Sequence, residues 1–390
     1  MHTVAIKDIF EFVRNGLSIK QSDTASGFPI TRIETIWNSS IDVNRFGYAD
    51  IEDIEKYGGY LLECGDILMT HINSLKHLGK CAIYEGTPKQ LIHGMNLLNL
   101  RPNRKISLPK YLHFYLNSGY FKNQVQKISN QSVNQASFSS GNLKKLKIPL
   151  PPLPEQQKIA SILDAADNLR QKDQQLIEKY TALSQSLFLE MFGDPEINPM
   201  GWDIEPFDYF AIIDTQMTSD FVKYAELPHI GIANIEKDTG RLINYNLVKD
   251  ENLTSGKYLF TPEHIIYSKI RPNLNKVALP SFNGLSSADS YPILVNKNNA
   301  NKLFFAYVLR SAFFLDFILQ HSTRTNIPKA NKSQIKLFNG IAPPVDLQNQ
   351  FAERIQSIEA QKQQAQASLQ KSEALFNSLL QRAFKGELTV

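Results

Sequence analysis

Two stretches of this 390-residue chain gather side chains that could hold a polyanion and read its shape. In the first, Thr70, His71, Asn73, Ser74, Lys76 and Lys80 follow the strand-like run GDILM, so ammonium groups stand beside short groups that donate and accept hydrogen bonds. In the second, Ser268, Lys269, Arg271, Asn273, Asn275 and Lys276 repeat the mixture after another apolar run. Lysines grip phosphates as point charges, short polar side chains reach base edges, and the planar fork of arginine suits bidentate contact with guanine. A further pair of polar segments, Asn130–Gln135 with Asn134 and Ser322–Ile327 with Arg324 and Asn326, precedes a strand in each half of the chain. Arg32 adds a cation on a strand-like stretch whose counterpart later in the chain is Gly231. These sixteen residues are the candidate DNA contacts, although each alone fits an ordinary solvated loop as well.

The spacings that catalysis on nucleic acid requires are missing. Ser255-Gly256-Lys257-Tyr258 lacks the first glycine and the hydroxyl of a phosphate-cradling loop, so nucleotide binding has no support. No Asp/Asn-Pro-Pro-aromatic tetrapeptide or glycine-rich cofactor loop marks a methyltransferase. The eight histidines form no i, i+4 pair, and Cys64 and Cys81 have no second cysteine pair with which to build a zinc site. The expectation is no catalytic residue, no metal, no cofactor and two free thiols.

The elements that must position these loops come in two copies. KKLKIPLPPLPEQQKIASIL (Lys144 to Leu163) aligns without a gap on KLFNGIAPPVDLQNQFAERI (Lys336 to Ile355), which places Pro151-Pro152 on Pro343-Pro344, 192 residues later. Weaker matches precede it: GDILMTHI with EHIIYSKI, YLNSGYF with VLRSAFF, and FPITRIETI with LPHIGIANI. Each half reads as strands of Ile, Val, Phe and Tyr punctuated by Gly, Asn and Pro, followed by one long helix that starts at its prolines. In the first helix Ile159, Ile162, Ala166, Leu169, Asp173, Leu176, Tyr180, Leu183 and Leu187 recur at spacings of three and four, the pattern of a coiled-coil seam. In the second, Phe351, Ile355, Ile358, Ala365, Leu369, Phe376 and Leu379 make a thinner stripe interrupted by Lys362 and Ser372. Each helix spans roughly 55 Å at 1.5 Å per residue.

A net charge of +4 permits a polyanionic partner without requiring one, and 42% hydrophobic residues suffice for real cores. No apolar run reaches the roughly 18 residues of a membrane-spanning helix, and the N-terminus has no signal-peptide pattern, which points to the cytoplasm and to no membrane partner.

IPLPPLPEQQKIASIL, its heptad helix and LEMFGDPEINPMGW resemble the central conserved region of specificity subunits from Type I restriction-modification systems, and IAPPVDLQNQFAERI with SLLQRAFKGEL resembles its second copy. The distal copy departs from the pattern, with Leu347 at the place of Glu155 and Asn349 at that of Gln157. The resemblance implies an α+β chain of two similar mixed α/β target-recognition domains, 1–150 and 194–342, each followed by a conserved long helix, 151–193 and 343–390, with the helices pairing as an antiparallel coiled coil. It also implies a non-catalytic scaffold that reads a bipartite site in double-stranded DNA, one half per head, while two methyltransferase subunits and restriction/translocase subunits do the chemistry. The alternative open on the residues alone is a homodimeric DNA-binding regulator joined through its long helices.

Overall fold

The computed structural model describes residues 2–24, 26–133, 135–322 and 328–388. They form two compact units, residues 1–175 with 366–390 and residues 176–365, so each contains one head and part of both long helices.

In the first unit the chain enters and leaves its head at one place, where Thr3–Ala5 pairs antiparallel with Lys147–Pro149. The central sheet has the order Cys81–Ile83, Ile67–Thr70, Leu97–Pro102, Phe10–Asn15, all antiparallel. Its inner strands are mostly apolar and buried at nearly every position because both faces are covered. Ile67, Met69, Leu98 and Leu100 face the core shared with helices Pro109–Asn117 and Gly119–Lys127. Their neighbours Leu68 and Leu97 join Ile36, Phe46, Tyr84 and Leu91 on the other side. A smaller sheet of Gln21–Ser22, Gly47–Ala49 and Phe28–Ile30 lies outside this frame.

The second unit repeats the design. Ile204–Pro206 pairs with Asn339–Ile341, and the sheet runs Val277–Ala278, His264–Ser268, Ser290–Val295, Ala211–Ile213. Helices Lys302–Arg310 and Ala312–His321 take the places of the helix pair in the first head. The heads differ most in the outer sheet, which here has five strands. Both cysteines are free, Cys81 buried and Cys64 exposed. Among the described residues no single helix is long and apolar enough to cross a membrane.

The long helices are Leu153–Phe192 and Val345–Lys385. At the start of each, one fully buried glutamine ties helix to head. Gln156 accepts from the Leu108 amide (2.8 Å) and donates to the Ile106 and Pro151 carbonyls (2.9 and 2.7 Å). Gln348, 192 residues on, accepts from the Asn301 amide (2.8 Å) and donates to the Asn299 and Pro343 carbonyls (3.3 and 2.8 Å).

Within each unit the two helix segments touch. In the first, Asp173 accepts from Ser368 and Ser372 (3.0 and 2.8 Å), and the Arg170 guanidinium lies over the Phe376 ring. In the second, the Tyr180 hydroxyl donates to Gln361 (2.8 Å), and Phe188 and Phe192 pack edge-on against Phe351. The buried stripe of the distal helix follows the sequence expectation: Phe351, Ile355 and Ala365 are buried, and Ile358, Leu369, Phe376 and Leu379 partly so. The first helix requires a correction. Ile159, Leu163, Ala166, Asp173, Ser184 and Phe188 are buried and Ile162 and Leu187 half-buried, whereas Leu169, Leu176 and Leu183 are 46%, 40% and 49% exposed. Two stripes of heptad spacing lie side by side here, and the one carrying Arg170 and Ser184 turns inward because its polar groups find partners.

Replacing either clamp glutamine by leucine takes the side-chain partner from one amide and two carbonyls, one of them buried, so Gln156→Leu should destabilise the first unit and Gln348→Leu the second by on the order of 3 kcal/mol. Urea unfolding followed by hydrogen-exchange mass spectrometry measures the loss and assigns it to a unit.

Candidate nucleic-acid interface

The polar loops selected in the sequence come together in each head. In the first, Ile72–Asn73 pairs antiparallel with Ala136–Ser137, which itself pairs with Asn130–Gln131, and the Phe138 amide donates to the His71 carbonyl (3.1 Å). In the second, Ile270 bridges Lys329 antiparallel and the Ala330 amide donates to the Lys269 carbonyl (2.8 Å). The Thr70 amide donates to the Lys80 carbonyl as the Ser268 amide does to that of Lys276, both at 3.0 Å. Gly79 and Asn275, each immediately before that lysine, both turn the chain with positive φ. The sites are therefore equivalent despite a two-residue difference in loop length. Asn134, Arg324 and Asn326 lie outside the described residues.

Burial sorts the candidates. Thr70 and Ser268 are buried, with the Thr70 hydroxyl donating to the His77 carbonyl (2.7 Å) and accepting from the Lys80 amide (3.0 Å), and the Ser268 hydroxyl donating to the Ile270 carbonyl. These hydroxyls shape the turn and are not free to read a base. Arg32 is likewise engaged, its guanidinium held by Gln21, Asp23 and the Ser22 carbonyl in the outer sheet. The Asn275 side chain donates to the Arg310 carbonyl (2.8 Å) and the Lys276 ammonium to the Ile232 carbonyl (2.7 Å), beside the Gly231 counterpart of Arg32. His71 is buried with Nδ1 unpaired, and burial holds its pKa below the ordinary range. Asn73 is half-buried, whereas Ser74, Lys76, Arg271 and Asn273 are exposed.

The first head adds a cation that sequence spacing did not single out. Lys80 is pushed below its usual pKa by burial and by the charges of Lys122 and Lys76, and His77 by Lys80, burial and Lys76. Lys122, on the helix Gly119–Lys127, is close enough to act only because the fold brings it there. None of Lys76, Lys80 and Lys122 forms an ion pair among the described residues, unlike Lys110 or Lys249 elsewhere. In the second head Lys269 and Lys332 converge on Tyr291, their ammonium groups 5.1 and 5.6 Å from its ring centroid, and Lys332 lies 5.8 Å from that of Tyr258. Burial lowers the Lys269 pKa, and Lys329 and Lys332 lower it further against the opposing effect of Asp289. Both lysine clusters concentrate positive charge that a phosphate would relieve. The Lys329-Ala330-Asn331-Lys332 spacing was a usable signal in the sequence; the two tyrosines were not. Among the described residues no group of His, Cys, Asp or Glu side chains could hold a metal ion.

Residues 1–179 match the family model for the Type I restriction modification DNA specificity domain. Over these residues, a little under half of the chain, the sequence is similar to Type I restriction-modification specificity subunits. The putative MjaX specificity subunit of Methanocaldococcus jannaschii is 48% identical over 189 residues, 48% of this chain and 44% of that protein. The EcoDI specificity subunit of Escherichia coli is 32% identical over 207 residues, 52% of this chain and 46% of that protein. The chain thus spans under half the length of these two relatives. A third specificity subunit, MjaIX of M. jannaschii, is 22% identical over 93% of this chain and 90% of its own. The crystal structure of the S subunit from M. genitalium shares the fold over 98% of this chain and 96% of its own, with a TM-score of 0.62 at 14% identity. The matched residues include Lys76, Lys80 and Lys122 of the first head.

Lys80 depresses the His77 pKa by repulsion of the imidazolium, so Lys80→Ala should raise it toward the ordinary histidine value. An NMR titration of the His77 ring checks the direction; an unchanged or lowered value would place the two groups farther apart.

Proposed function

We propose that the chain is the non-catalytic DNA-specificity subunit of a Type I restriction-modification complex, working in the cytoplasm. The observation that carries this reading is the equivalence of the two heads, each joining two polar loops around lysines that crowd one another. Residues 1–150 and 194–342 act as target-recognition domains and 151–193 and 343–390 as the conserved helices between and after them. In the first head Lys76, Lys80 and Lys122 hold backbone phosphates while Asn73, Ser74 and Asn134 approach base edges. In the second, Lys269, Lys276, Lys329 and Lys332 hold phosphates, and Arg271, Asn273, Arg324 and Asn326 face the bases. Arg32, Thr70, His71, Ser268 and Asn275 shape the loops from below.

The helices pair as an antiparallel coiled coil along their length. In support, partners on one helix rise in number as those on the other fall, from Arg170 with Phe376 to Asp173 with Ser372 in one unit and from Tyr180 with Gln361 to Phe188 with Phe351 in the other. Such a spacer makes the gap between half-sites part of the recognised sequence. The outward-facing Leu169, Leu176 and Leu183 offer apolar surface to two methyltransferase subunits, with restriction/translocase subunits joining the assembly.

The purified chain alone should transfer no methyl group, and with its methyltransferase subunits it should direct methylation to one bipartite sequence, mapped by single-molecule sequencing. Methyl transfer by the chain alone, or a contiguous motif, would overturn the reading. Replacing Lys76, Lys80 and Lys122 together by alanine should weaken binding across sequences and flatten log K against log salt by about 0.9 for each phosphate that is no longer neutralised, as measured by fluorescence anisotropy on cognate and unrelated duplexes.

A further inference from the structure

The carboxylate of Asp173 is 8% exposed and forms no ion pair among the described residues; its partners there are two hydroxyls of the distal helix, Ser368 and Ser372. A buried charge held only by hydroxyls is a costly way to bring two helices together, and an apolar pair of similar size would pack with less loss. It does, however, single out one partner and one alignment, as a polar residue at a single seam position does in coiled coils.

The 192-residue repeat creates the wrong partner that must be avoided. Because the two helices are alike in length and stripe, the first helix of one copy could pair with the first helix of a second copy in the same antiparallel manner. Shifting Ser368 and Ser372 back by the repeat gives Leu176 and Tyr180, so Asp173 would then face a leucine and a tyrosine, with a second Asp173 nearby on the same seam. The repeat partner of Asp173 is the buried Ala365, so only one of the two helices carries the carboxylate. We infer that Asp173, with Ser368 and Ser372, is a positioning device that makes the chain pair its own two helices in one register and rejects pairing between copies. It rests on the helix pairing proposed above.

The test uses the full chain. Asp173→Leu removes the penalty in the copy-to-copy pair and the two hydroxyl bonds in the intrachain pair, so self-association, followed by sedimentation equilibrium, should strengthen by about tenfold, the equivalent of one buried polar group left without a partner. Ser368→Ala with Ser372→Ala weakens only the intrachain pair and should shift association in the same direction, which keeps the inference testable if the leucine variant misfolds. Folded variants that associate no more than the wild type would overturn it. A four-residue insertion near Ala166 in the first helix alone separates the two readings. If it leaves assembly and site recognition unchanged, the helix pairing itself is wrong; if it disrupts them while Asp173→Leu changes nothing, only the role of Asp173 fails.

Discussion

The joint between each head and its own long helix depends on one buried primary amide at the start of that helix. Gln156 and Gln348 each satisfy one backbone donor and two backbone acceptors where the head meets the helix, one of those acceptors fully buried. A side-chain amide can do this because it carries both functions on one planar group, so its orientation is set by the loop and the helix together. Prolines at the helix starts remove amides that would have no helical partner in the first turn. The helix therefore begins at a fixed residue and leaves its head at a fixed angle, and whatever the loops bind inherits that precision.

Above this joint the two heads conserve a frame and vary its decoration. The four-stranded sheet, the strand pair at the entrance and the helix pair behind it recur in the same order. The lysine clusters do not recur residue for residue: His71 stands where the second head has Lys269, and Lys122 has no basic counterpart on the second helix pair. Charge is kept while its placement changes, which is what the proposed grip on a common backbone beside different bases would require.

Much of this was legible in the residues. The doubled proline at a spacing of 192 gave away the repeat, because a helix start is one of the few events that leaves a short and rigid mark. The loops 70–80 and 268–276 could be aligned from the apolar strands before them. The expected seam of the first helix holds at Ile159, Ala166 and Asp173 and fails at Leu169, Leu176 and Leu183, because hydrophobicity ranks these leucines above Arg170 and Ser184 whereas packing weighs whether each group finds a partner. Gln156 escaped notice since nothing in its type marks a polar residue as fully buried. Lys122 and the tyrosines under Lys269 and Lys332 are brought to their loops by long-range packing alone.

The strand pair formed by Thr3–Ala5 with Lys147–Pro149, and its twin formed by Ile204–Pro206 with Asn339–Ile341, means that each head begins and ends at the same point. Chain length inside such a clasp is decoupled from geometry outside it. A loop can grow by a few residues, or an outer sheet gain two strands, and the axis of the following helix does not move. Variation inside a head can thus accumulate without disturbing the point at which the chain leaves it.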